Sequence, residues 1–310
     1  VAALAPAKLN LMLGVGERRA DGYHPLTTVF QAVDLWERVT VGCSPDPGVR
    51  VSVAGVGTAN PAVGRVPLNR TNLAVRAAEA LAEYAELEPA VDLRIDKAIP
   101  VAGGLAGGSA DAAATLLACD ALWDTGLTRE ELAELAAGLG ADVPFAMMGG
   151  TALGQGRGEV LEPLTVGGPM WWVLVTRAVG LSTPEIFAAW DRRGGGGAAA
   201  GRPEGLIAAL ACGNLADAGR CLANDLEPDA VGAMPELRAI LECGLAAGAL
   251  GVVVTGSGPT VAGLAASRDA AQALAESWGA MAKMPGVGGS VIVAKAVSQG
   301  AHVLAGEIGR

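Results

Sequence analysis

Apolar and polar residues alternate in "VDLRIDK", placing Val91, Leu93 and Ile95 on one face, and this two-residue period predicts a half-buried strand. "KLNLML", "RVTVG" and "VRVSVAG" read the same way. The period becomes helical in "TNLAVRAAEALAEYAELE", where Leu73, Ala77, Leu81 and Tyr84 share a side behind Thr71, a residue able to cap. Downstream of "VDLRIDK" a glycine-rich stretch leads into alanines, "IPVAGGLAGGSADAAATLLACD", and a helix is expected from near Ser109. Another helix is expected at Thr128, where Glu131 three residues on completes a capping box.

The pattern changes after "LGADVPFAMMGGTALGQGRG". "MWWVLVT" reads as a buried strand and "TPEIFAAWDRR" as an amphipathic helix opened by Pro184. Helices are expected around "GLIAALACG", "LADAGRCLANDLE", "PELRAILECGLAAG" and "RDAAQALAESWGAMAKM", and strands at "GVVVT", "TVAGL" and "SVIVAKAV". The low-complexity run "GGGGAAAG" is expected to be a mobile loop. Strands interleaved with helices in both halves predict an α+β protein of two domains, residues 1–158 and 159–310.

Composition narrows the function classes. The chain is 51% hydrophobic with only 4% aromatic residues, so the core should be aliphatic. A net charge of −10 argues against a nucleic-acid surface, which needs clustered Lys and Arg. The five cysteines form no CxxC pair, which disfavours zinc and a disulfide framework and suits a reducing cytoplasm. "VAALAPAKLN" lacks the charged start and long apolar core of a signal peptide. Cys243 to Ser267 carries no charge, yet its "TGSGPT" break would strand backbone polar groups in lipid, so a buried helix, turn and strand is expected instead.

Three places carry candidate chemistry. A strand, a glycine-rich turn and a helix start together form an anion site, because glycines let backbone N–H groups converge and the helix dipole favours negative charge. The same glycines would also serve plain close packing, and both readings stand. Neither GxxxxGK[ST] nor GxGxxG is present, which removes the P-loop and leaves little for a dinucleotide oxidoreductase. Lys8 is one of four lysines and opens the first strand, where it is either a solvated surface group or a point charge for a phosphate or hydroxyl. Asp142 in "GADVPF" is either a helix cap or a base. "TGSGPT" follows a buried strand and would serve equally as a plain turn.

Taken in order, "PAKLNLML", "ADGYHPLTTVFQAVDL", "IPVAGGLAGGSADAAATL", "GADVPF" and "TGSGPTV" resemble the GHMP small-molecule kinases across nearly the whole chain. "RADGYHPL" is similar to the hallmark of the branch acting on 4-diphosphocytidyl-2-C-methyl-D-erythritol. The resemblance implies an N-terminal domain like ribosomal protein S5 domain 2, a ferredoxin-like C-terminal domain, and a site between them. It implies ATP and Mg²⁺, phosphorylation of the acceptor's 2-hydroxyl, and Lys8 with Asp142 as the catalytic pair. Pro100, Val101, Ala102, Gly103, Gly104, Leu105, Ala106, Gly107, Gly108, Ser109 and Ala110 would wrap the ATP phosphates. Asn10 would neighbour the acceptor hydroxyls. Tyr23, His24 and Phe30 would hold the cytidine, with His24 reading the base edge, while Thr183 and Phe187 close that pocket and Gly256 and Ser257 line the diphosphate.

Members of the family usually read G-L-G-G-G-S-S in the loop, where this chain has "GLAGGSA". Ala106 is therefore expected in unstrained backbone, and Ala110 lacks a hydroxyl that would touch phosphate or Mg²⁺, leaving Ser109. The expected partner is the small molecule, with no nucleic acid and no membrane, and the chain is expected to be a monomer or weak homodimer. A non-catalytic nucleotide sensor is the remaining alternative, disfavoured by the presence of both Lys8 and Asp142.

Overall fold

Val91, Leu93 and Ile95 are buried on one side of the strand that their alternation predicts, with Arg94 in solvent on the other. The computed structural model describes residues 1–56, 63–195, 201–282 and 289–305. Most of the "GGGGAAAG" run, residues 196–200, lies outside them.

The first part of the chain forms β1 (Ala2–Val15), β2 (Leu26–Cys43), β3 (Gly48–Gly55), α1 (Leu73–Tyr84), β4 (Ala90–Lys97), α2 (Gly107–Trp123), α3 (Arg129–Leu139), α4 (Val143–Met148), β5 (Thr151–Gln155) and β6 (Val160–Pro163). There follow β7 (Trp171–Arg177), α5 (Thr183–Arg192), α6 (Glu204–Ala211), α7 (Leu215–Arg220), β8 (Ala223–Asn224) and α8 (Glu227–Ala233). The chain continues through α9 (Glu236–Ala246), β9 (Gly251–Val254), β10 (Val261–Ala265), α10 (Arg268–Ala282), β11 (Gly289–Lys295) and β12 (His302–Val303).

Two sheets result. One runs β12-β1-β2-β4-β3, with β5 and β6 extending from β2 and the short β8 parallel to β1; the other is antiparallel, β11-β7-β10-β9. β6, β8 and β12, all beyond residue 158, belong to the first sheet. β1 is buried on both faces, and α2 and α4 pack against it. Alanines at 2, 3, 5 and 7 in β1 and at 110, 112, 113 and 114 in α2 are buried, and their small side chains allow close approach of helix and strand. Apolar nearly all round, α2 lies inside the protein, as such helices must.

Several local expectations shift. Asn72 rather than Thr71 caps α1, its side chain accepting from the Ala74 amide, and α2 begins two residues before Ser109. The capping box at Thr128 and Glu131 forms as expected. "LADAGRCLANDLE" is not one helix. It breaks into α7, the two-residue β8 and the start of α8, because Asn224 turns its side chain to backbone groups: it donates to the carbonyls of Val254 (2.6 Å) and Gly256 (2.7 Å) and accepts from the Leu226 amide. The charge-free run from Cys243 becomes the end of α9, β9, a turn and β10, and no helix among the described residues is long and apolar enough to cross a membrane.

Candidate active site

A cavity of about 1100 Å³ lies where β1, the start of α2, α4, α5 and the turn after β9 meet. Every residue proposed above for the site lines it, except Leu105 and Ala110. Those two are buried in the hydrophobic core. The missing hydroxyl at position 110 is therefore no loss to a ligand, since that side chain packs inward.

The loop from β4 to α2 is held from several directions. The Lys8 amide donates to the Leu105 carbonyl (3.2 Å), and the Thr260 amide donates to Gly103 (3.3 Å). Gly104 has φ +77°, and a Cβ there would lie 2.4 Å from the Thr255 carbonyl oxygen, so only glycine fits. The expectation of unstrained backbone at Ala106 is corrected. Ala102 (φ +56°) and Ala106 (φ +58°) both adopt the left-handed conformation, at about 1–2 kcal/mol each for a residue with a Cβ. Strain of this kind persists where surrounding contacts over-determine the backbone, as they do here.

This geometry selects a clean probe of the loop. At Gly107 an added Cβ would meet the Lys97 ammonium at 3.0 Å, so a substitution there disturbs the protein itself. At Gly108 the nearest atom is Leu73 Cδ1 at 3.7 Å. Gly108→Val is expected to melt like the wild type while weakening ATP binding by at least ~10-fold, or about 1.4 kcal/mol. Calorimetric titration with ATP checks this; unchanged affinity removes the loop from phosphate binding.

Asp142 occupies the N-cap position of α4, yet its side chain makes no capping bond. The carboxylate, 31% exposed, faces Lys8 instead, with Oδ2 3.6 Å from Nζ. Lys8 Nζ also donates to Asn10 Oδ1 (2.6 Å), Asn10 Nδ2 donates to Thr28 Oγ1 (2.8 Å), and the Asn10 amide donates to Thr255 Oγ1 (2.9 Å). A buried ammonium held by a buried amide and aimed at a partly open carboxylate is a pre-oriented pair. Phe30, 2% exposed, packs against Phe145 at 4.9 Å with Lys8 over its ring, and it lines the cavity beneath the pair.

The other end of the cavity is aromatic. Tyr23 is 54% exposed with the Arg157 guanidinium over its ring, and His24 lies against Phe187 of α5 with centroids 5.1 Å apart. The imidazole Nδ1 is 2.9 Å from the Gly16 carbonyl oxygen and Nε2 is 3.4 Å from Asp191 Oδ1. The Gly16 carbonyl thus orients the ring in the cavity wall, beside Asp191 and Phe187. The hydroxyls of Thr183 and Ser257 are 2.8 Å apart, joining α5 to the turn after β9. Gly256 in that turn has φ +59°, and a Cβ on it would come within 3.5 Å of Lys8 Nζ and 3.4 Å of Asn10 Oδ1.

Sequence reasoning missed two features. One is a cavity wall of Arg65, Val66, Pro67, Leu73 and Arg76, whose positions before and along α1 carry no motif. The other is a buried group of three charges under the loop: Lys97 Nζ is 2.7 Å from both Glu37 Oε1 and Asp111 Oδ2. Glu37 lies between Trp36 and Arg38 in β2, and only its burial beside Lys97 marks it. Burial pushes the Glu37 carboxyl up to about 7, with Lys97 pulling against it, and burial also raises Asp111. Burial opposes the charge on Lys97, but Asp111 and Glu37 hold its ammonium above the ordinary lysine range.

A carboxyl whose value rises on folding keeps a proton that the unfolded chain has released, between its ordinary 4.5 and about 7. The stability from Glu37 is therefore full below that window and is lost as pH rises through it. Melting temperature is expected to fall more steeply from about pH 5 to about pH 7.5 in the wild type than in Glu37→Gln. Parallel profiles would place the titration elsewhere.

Residues 72–150 match the GHMP kinases N terminal domain and residues 206–283 the GHMP kinases C terminal domain. The fold and this site therefore define an ATP-dependent small-molecule kinase of that class. A 4-diphosphocytidyl-2-C-methyl-D-erythritol kinase of Streptomyces coelicolor is 52% identical over 87% of this chain and 89% of its own, and one from Nocardia farcinica is 50% identical over 97% and 95%. A crystal structure of 4-(cytidine 5'-diphospho)-2C-methyl-D-erythritol kinase, 34% identical, superposes with TM-score 0.72 over 96% of this chain and 99% of that one. A mevalonate kinase of L. major, 17% identical, shares the fold with TM-score 0.73 over 96% of each chain. The chain belongs to the 4-diphosphocytidyl-2-C-methyl-D-erythritol kinase family of GHMP kinases.

Proposed function

We propose that the protein transfers the γ-phosphoryl group of ATP to the 2-hydroxyl of 4-diphosphocytidyl-2-C-methyl-D-erythritol, giving the 2-phosphate and ADP, a step in the non-mevalonate route to isoprenoid precursors. The observation that carries this reading is one cavity running from the glycine loop, past Lys8 and Asp142, to the aromatic end at Tyr23, His24 and Phe187. The loop offers amides and the start of α2 to the ATP phosphates. With cytidine at the aromatic end, the wall at Val66, Pro67 and Leu73 is left for the adenine.

Phosphoryl transfer asks chiefly for alignment and charge stabilisation. The acceptor oxygen attacks the γ-phosphorus, the bond from that phosphorus to the bridging oxygen breaks, and ADP leaves. Asp142 takes the proton released by the hydroxyl. Lys8 steadies that carboxylate and the incoming oxygen, and Asn10 fixes Lys8. Gly256 admits the acceptor's diphosphate close to this group, with Ser257 and Thr183 beside it.

Ser109 lines the cavity in the first turn of α2, and its hydroxyl oxygen is the type of donor that a hard cation such as Mg²⁺ takes. Ser109 would hold the ion, which would neutralise phosphate charge. All five cysteines are free, which supports a cytoplasmic location. ADP release from a panel of acceptors incubated with ATP and Mg²⁺ tests the reading. Turnover of the cytidine-linked compound supports it, and preference for another alcohol overturns it.

A further inference from the structure

Replacing a buried ion group by apolar side chains is often neutral or stabilising, so stability alone gives little reason to keep three charges under a loop. Their placement gives a better one. Glu37 comes from β2, Lys97 from the last position of β4, and Asp111 from the first turns of α2. The Glu37 carboxylate accepts from the amides of Ala98 (2.9 Å) and Ile99 (3.2 Å), the two residues that lead into the loop. At the far end, the backbone of Gly107 rests on the same group: a Cβ there would be 3.0 Å from Lys97 Nζ and 3.3 Å from Glu37 Oε1. Asp111, bonded to Lys97, fixes the helix one turn further on. Its Oδ1, buried and without a hydrogen-bond partner among the described residues, remains as an unrelieved cost.

We infer that Glu37, Lys97 and Asp111 are positioning residues for the phosphoryl donor, a brace that pins both ends of the loop so that its amides keep their geometry against ATP. The inference rests on the reading of the loop as the nucleotide cradle. Lys97 and Asp111 line the donor side of the cavity with Glu37 behind them, while the acceptor side is built by Tyr23, His24, Phe187 and the turn at Gly256. Loss of the brace should therefore separate the two substrates, which a merely structural role would not do.

Two variants test it. Glu37→Gln/Lys97→Met/Asp111→Asn removes all three charges with little change of volume and leaves no buried charge unpaired. Glu37→Asp keeps the charge but withdraws the carboxylate from the Ala98 and Ile99 amides. In each, calorimetry with ATP and Mg²⁺ is expected to show affinity weakened by ~10-fold or more, with the KM for ATP following and the KM for the cytidine-linked acceptor unchanged. Hydrogen exchange across residues 98–109 is expected to quicken. Wild-type ATP affinity in either folded variant overturns the brace, as do equal rises in both KM values. Should the triple variant fail to fold, Glu37→Asp decides alone. A wild-type protein that binds no ATP would overturn the cradle reading itself, an outcome visible before any variant is made.

Discussion

Asp142→Asn is expected to lose ~10² or more in kcat while binding ATP as the wild type does, because general-base assistance contributes ~10² to 10⁴. The variant is unusually clean. Asn is as good an N-cap as Asp, and the Asp142 side chain makes no capping bond, so α4 loses nothing. Lys8 keeps its bond to Asn10 Oδ1, so its ammonium does not become an unpartnered buried charge. What disappears is the proposed proton acceptor. Lys8→Ala is expected to be impaired comparably, with the added loss of charge next to the reacting oxygen. Single-turnover kinetics separate chemistry from product release. An asparagine variant with near wild-type turnover would reduce Asp142 to a spectator and leave alignment as the main source of rate.

Discrimination among acceptors is expected to be larger still, up to ~10⁴ in kcat/KM for the cytidine-linked acceptor over free methylerythritol phosphate, mevalonate, homoserine or galactose. The far end of the cavity is the reason, because there the polar groups of His24 and Asp191 lie among aromatic rings, and an acceptor without a base edge would give them no partner. Tyr23 is more than half exposed with Arg157 over its ring, Phe187 packs on the buried His24, and a small polyol would leave Tyr23 and Phe187 uncovered and wet. Tyr23→Ala is the appropriate probe because Tyr23 is exposed, whereas His24 is bonded to Gly16 and faces Asp191, so its removal would loosen the segment as well as the pocket. Steady-state kinetics on Tyr23→Ala are expected to show a raised acceptor KM and an unchanged KM for ATP. Mevalonate or homoserine turned over as fast as the cytidine compound would make the aromatic end irrelevant.

Much of this was legible in the chain because the relevant signals are local. Alternation exposed β4, and the capping box exposed the start of α3. The glycine loop announced itself by composition. What stayed hidden depends on distant partners. Nothing near Ala106 in sequence says that its backbone turns left-handed, since Lys8, Thr255 and Thr260 impose that conformation by holding the loop around it. Asn224 looked helical because its partners, the carbonyls of Val254 and Gly256, lie about thirty positions away. Glu37, Lys97 and Asp111 are spread over three elements, and only the folded chain brings them together. Asp142 showed the reverse: its sequence context suggested a cap as readily as a base, and the orientation of one side chain separated the two.

The turn after β9 touches both halves of the reaction. Thr260 and Thr255 hold it against Gly103, Gly104 and Asn10, and its next residues, Gly256 and Ser257, line the part of the cavity proposed for the acceptor. Occupancy at one end of the cavity therefore has a mechanical route to the other. Any change that bound ATP makes in affinity for the acceptor through that turn, the bound acceptor must make in affinity for ATP by the same factor. A thermodynamic box measured with a non-reacting ATP analogue closes on that factor from either direction, and its size reports how stiffly the turn links the two substrates.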